Sequence, residues 1–120
     1  MKKISLFFIA LLTLVAHATQ EEIVLNNTNQ QHSHSEYYPP ADMPEVYFNA
    51  DDMVIIIEAD GFANYYDVDI ISLSTMFTDI STLVGGYGGD VDVSSLAADE
   101  YKIVITSSNN NVFEGYFTVE

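Results

Sequence analysis

Cysteine is missing from the 120-residue chain. Without it there are no disulfides and no thiol for nucleophilic, redox or lipid-anchoring chemistry, so stability has to come from a packed core. Arginine is missing too, and lysine occurs only at positions 2, 3 and 102, against 18 acidic residues and a formal charge of −15. Phosphate backbones and anionic lipids are bound by clustered basic side chains, so this shortage excludes nucleic acid and acidic membranes as partners. Cations, neutral sugars and basic proteins are what such a charge favours. Histidine is confined to positions 17, 32 and 34, and the chain has no P-loop, no H-E-x-x-H and no G-x-S-x-G. A carboxylate pair remains, but glycoside hydrolysis needs a cleft that holds two carboxyl groups about 5 to 9.5 Å apart around a sugar, which a small sandwich with short loops hardly encloses. No enzymatic activity, cofactor or metal is expected.

Long apolar runs are absent apart from Ile4 to Val15. That stretch is shorter than the roughly twenty residues needed to span a hydrocarbon core. It follows Lys2 and Lys3 and precedes Ala16-His17-Ala18, an A-x-A cleavage pattern, so residues 1–18 read as a secretory signal peptide and the mature chain begins at Thr19. Cleavage takes away two lysines and no carboxylate, moving the formal charge from −15 to −17. The destination is secreted or periplasmic, with no membrane insertion after cleavage.

What the chain does contain changes at Glu45. Residues 19–44 are rich in Asn, Gln, Ser, His and Pro, with only Ile23-Val24-Leu25 as an apolar patch, and read as a polar linker, mobile from Asn26 to Pro44. From 45 to 120, seven β-branched and aromatic runs alternate with turn signals: 45–50, 53–59, 66–74, 76–84, 90–95, 101–107 and 112–120. Seven short strands with no room for crossover helices predict an all-β antiparallel sandwich. Period-two alternation assigns the faces. Val91 and Val93 oppose Asp90, Asp92 and Ser94, Val68 and Ile70 oppose Asp67 and Asp69, and Ile103 and Ile105 oppose Lys102, Val104 and Thr106. The unbroken run Val54 to Ile57 predicts a central strand buried on both faces.

The last thirty residues carry a recognisable pattern: an S-x-L, a small-residue turn, E-Y, alternating apolars, a polar turn and a closing G-x-F-x-V. It falls on Ser94, Leu96, Glu100, Tyr101, Ile103, Ile105, Gly115, Phe117 and Val119. With the signal peptide and linker, the chain resembles the short secreted Bacteroidetes proteins of domain of unknown function 3244, which implies an immunoglobulin-like β-sandwich and supplies no catalytic or binding residues. Such proteins usually place glycine before the glutamate of the turn; here Asp99 stands there, which also tolerates a left-handed conformation. Tyr101 after Leu96 suits a tyrosine corner, ring in the core and hydroxyl bonded back to the backbone.

Four stretches carry residue types that could support chemistry. Asp90, Asp92 and Ser94 match positions 1, 3 and 5 of a calcium loop, but Ser95 replaces the glycine at position 6 and Tyr101 the glutamate at 12, so an acidic strand edge is the better account. His32, His34 and Glu36 have metal-ligand spacing without an ordered element to hold them. Asn26-Asn27-Thr28 matches a glycosylation sequon that a bacterial signal peptide renders idle. The aromatic residues Tyr37, Tyr38, Phe62, Tyr65, Tyr66 and Tyr87 fall in or beside predicted loops, and Phe62, Tyr65 and Tyr66 form the candidate ligand-stacking group, against the rule that most aromatics of a small β protein fill its core.

The expected function is a secreted, non-catalytic binding module of the cell envelope whose partner is a protein or a glycan. The alternatives are a structural or adhesin-like protein that pairs through an edge strand, and a C-terminal domain of the kind that sorts cargo for secretion, which a chain with only a linker before the domain and no basic tail fits less well.

Overall fold

A computed structural model describes residues 20–28 and 39–120. The expected signal peptide, His32, His34, Glu36, Tyr37 and Tyr38 lie outside the described residues. Nine strands occur among the described residues: β1 (Gln20–Ile23), β2 (Asn26–Asn27), β3 (Glu45–Asn49), β4 (Val54–Glu58), β5 (Tyr65–Ser72), β6 (Thr78–Gly85), β7 (Gly88–Asp92), β8 (Asp99–Ser107) and β9 (Val112–Val119). Every pairing is antiparallel, in the order β1-β3-β4-β7-β6-β5-β8-β9-β2. The continuous sheet folds over on itself where β6 and β7 share a single bridge, Gly85 to Gly88. One layer is then β1-β3-β4-β7 and the other β6-β5-β8-β9-β2.

The seven expected strands are all present, and the alternation that defined them holds. Val46, Ile55, Val68, Ile70, Val93, Ile103, Ile105 and Phe113 are fully buried. The two layers meet through aromatic rings: Phe48 of β3 packs on Phe117 of β9 at 5.0 Å between centroids, and Phe117 stacks on Tyr101 at 5.5 Å. Tyr101 is buried and its hydroxyl donates to the Ala97 carbonyl at 2.6 Å, closing the expected corner beside the buried Leu96.

Three expectations are corrected. The stretch 19–44 is not linker throughout, because β1 pairs with β3 and β2 with β9, so one short segment passes from the edge of one layer to the edge of the other. Ile23 and Leu25 enter the core on the way. Gly115 makes the passage possible: a β-carbon there would sit 2.6 Å from Ile23 and 3.0 Å from the Val24 carbonyl. Second, β4 is central but not buried on both faces. Ile55 and Ile57 point inward, while Val54 and Ile56 remain half-exposed, Ile56 between Tyr47 and Asp90 in the register. Third, Asp99 is not left-handed. It begins β8, and its carboxylate accepts from the Ser72 and Ser74 hydroxyls at 2.7 and 2.5 Å and from the Glu100 amide at 2.7 Å. These bonds hold its pKa below the ordinary value, Ser74 contributing most.

Candidate functional site

One end of the sandwich is built from four segments far apart in sequence: 39–44, 59–64, the β6–β7 turn and the β8–β9 turn. Glycine lets the loop 59–64 and the β6–β7 turn approach. Gly61 has φ +83°, its amide donates to the Gly86 carbonyl at 3.0 Å, and the Tyr87 ring lies where a β-carbon on Gly61 would be 2.8 Å away. Gly86 comes so near Ala63 that a β-carbon would be 2.1 Å from its carbonyl oxygen. On the other side, Ser108 Oγ accepts from the Asn64 amide at 2.8 Å, while the Ser108 amide donates to the Tyr65 carbonyl at 3.0 Å.

Beneath this surface lies Asp42, only 3% exposed. Its carboxylate accepts from Ser107 Oγ at 2.5 Å, Asn109 Nδ2 at 3.1 Å and Asn111 Nδ2 at 3.0 and 3.1 Å. Asn109 Nδ2 also donates to the Phe62 carbonyl at 3.1 Å, and Asn110, left-handed at φ 68°, turns the chain between the two amide donors. Burial acts to raise the Asp42 pKa, but the bonds from Ser107, Asn111 and Asn109 and its own backbone amide outweigh it and hold the carboxyl below its ordinary value. Neutral donors alone satisfy this charge, since the ion pair among the described residues is Lys102 with Glu114, on the outer face of β8 and β9.

The candidate stacking group divides. Phe62 is 62% exposed and Tyr65 49%, and Tyr87 joins them at 80%. Tyr66 does not belong with them: it is fully buried, and its hydroxyl donates to the Asp42 carbonyl at 2.6 Å. Burial first, then the charges of Asp42 and Asp60, push its pKa up. The reason is phase. Tyr66 shares the parity of Val68 and Ile70, so period two sends it inward and Tyr65 outward. The end therefore presents three exposed rings on loops tied down by cross-links, with Asp60 and Asp67 close in sequence and no basic group among residues 39–100. Such a surface offers ring faces to apolar or sugar-like groups and repels anions.

The other sequence candidates fall elsewhere. Asp92 bends back to accept from the Ser94 amide at 2.9 Å, which with the Ser94 hydroxyl lowers its pKa, and Asp90 faces outward opposite Ile56. Asn26 and Asn27 form β2, and the following Thr28 amide donates to the Val112 carbonyl at 2.9 Å. Sequence reasoning missed Asp42 and its donors. The proline-flanked stretch Pro39-Pro40-Ala41-Asp42-Met43-Pro44 reads as linker, and its partners are some 65 positions away in sequence.

No protein-family model matches the chain, and no curated protein matches it. The fold has a clear counterpart among solved structures. A DUF3244 family protein from Bacteroides vulgatus superposes with a TM-score of 0.64 at 15% identity, over 84% of this chain and 99% of that one. That structure is an immunoglobulin-like β-sandwich, and the fold of this chain is the same.

Proposed function

We propose that the protein is a secreted, non-catalytic binding module of the cell envelope that takes a neutral glycan on the end carrying Phe62, Tyr65 and Tyr87. The observation that supports this reading is the exposure of three large aromatic rings on one cross-linked end of a small protein, where such side chains would otherwise fill the core. Neutral sugars present apolar C–H faces that stack on such rings, and the acidic surroundings reject charged saccharides of the same sign. Fixed loops add to affinity because little ordering remains to be done on binding.

A glycan array followed by calorimetry tests the reading. The expected result is binding to one class of neutral glycan that weakens at least about tenfold in Phe62→Ala and Tyr87→Ala, roughly 1.4 kcal/mol, with unchanged melting temperature because both side chains are exposed. No binding to any neutral glycan, or binding untouched in the triple Phe62, Tyr65 and Tyr87 alanine variant, refutes it.

A further inference from the structure

The strands that end the two layers are not protected alike. β1 has four residues, β2 two, and β7 five with two carboxylates. β6 has eight, paired with β5 on one side and touching β7 only at Gly85, so residues 78–84 present a free edge among the described residues. Natural edges are usually blunted by brevity, lysine, proline or inward charge. β6 has neither lysine nor proline, and its single charge, Asp79, sits at the irregularity where the β5–β6 register shifts. Around it three apolar side chains are exposed, Met76 at 67%, Phe77 at 71% and Leu83 at 64%, and Ile80 and Val84 are only half-buried against the rim of the core.

We propose that β6 pairs antiparallel with the β6 of a second copy, joining two sandwiches through one continuous outer layer. Charge decides the occupant. Asp79 is the only charged residue between Ile70 and Gly89, in a chain with 18 acidic residues, so this is the stretch where two strongly acidic copies approach with least repulsion. The strand is also complementary to itself, as a two-fold contact requires. Pairing about Thr82 keeps inward residues with inward ones: Ile80 meets the partner's Val84, Ser81 meets the partner's Leu83, and Asp79 meets the partner's Gly85 rather than a like charge.

The absence of native cysteine makes the test direct. Sedimentation velocity at physiological ionic strength, where screening acts beyond about 8 Å, is expected to show a concentration-dependent monomer–dimer equilibrium. Leu83→Glu, at a position already exposed, is expected to weaken it at least about tenfold, with an unchanged circular dichroism spectrum. Thr82→Cys is expected to oxidise to a covalent dimer, the two α-carbons lying across the two-fold within the 4.4–6.8 Å that a disulfide spans, whereas Tyr116→Cys on the outer face of β9 is not. A protein that stays monomeric at all concentrations, including one that accepts a foreign strand instead, overturns the proposal. So does a dimer indifferent to Leu83→Glu, or equal cross-linking at both cysteines. Failure here leaves glycan binding by Phe62, Tyr65 and Tyr87 untouched, and failure of glycan binding leaves this pairing untouched.

Discussion

At Asp42 a full negative charge is held out of solvent by one hydroxyl and two amides. Its folded pKa lies below the ordinary 3.8. The stabilisation is therefore complete above that value and is lost as pH falls through the folded pKa. Urea titrations at successive pH values should show stability dropping below about pH 4, with a shallower drop in Asp42→Asn; Asp99, lowered in the same sense, keeps some slope in that variant. At neutral pH Asp42→Ala takes the acceptor away from the buried Ser107 hydroxyl, while the Asn109 and Asn111 amides reach water, and should cost about 1 to 3 kcal/mol. Tyr101 is a case the sequence revealed, because its parity with Ile103 and Ile105 and its place after Leu96 give both its burial and its corner. Tyr101→Ala should cost about 3 to 5 kcal/mol, and Tyr101→Phe, which loses only the bond to Ala97, about 1 kcal/mol. Guanidinium unfolding separates the two, and an alanine variant as stable as the parent contradicts the packing. Tyr66 was equally legible by parity. Proximity to a turn was the weaker guide.

Strands with strict alternation announced themselves, and β5, β7, β8 and β9 lie close to where the pattern put them. β1 and β2 did not, for a physical reason: four and two residues are too few for a period, and a segment that leaves one layer for the other presents Ile23 and Leu25 to the core with polar residues on both sides. The signal that existed was in the receiving strand. Gly115 interrupts β9 at an inward position between Phe113 and Phe117, where a β-branched residue is the norm, and a glycine inside a strand often marks a close backbone approach. Gly115→Val should expel the crossing segment. Hydrogen exchange should show Ile23 to Asn27 losing protection first, with a global cost in the range of about 1 to 3 kcal/mol that accompanies overpacking. Retained protection there would mean the segment does not need the space.

For the molecule as a whole, one sign of charge dominates: 18 acidic residues against three lysines, with Lys102 alone among the described residues. Self-repulsion on this scale destabilises the compact state, so raising salt from about 0.01 to 0.15 M, which shortens the screening length from about 30 to 8 Å, should raise the melting temperature. Calcium and magnesium at equal ionic strength should raise it equally, and a saturable, calcium-specific shift abolished by Asp92→Ala would contradict the strand-edge account of residues 90–94. The same molecule has a second global property, set by the pairing of Asn26 with Glu114 and of Asn27 with Phe113. The first part of the fold to be synthesised waits for the last. Until β9 has left the ribosome, β2 has nothing to pair with and Ile23 has no gap at Gly115 to enter, so the sandwich cannot seal before β9 emerges. Closing a loop of that length also slows the search relative to local hairpins. A chain built this way remains open, and therefore threadable, until β9 is free to pair.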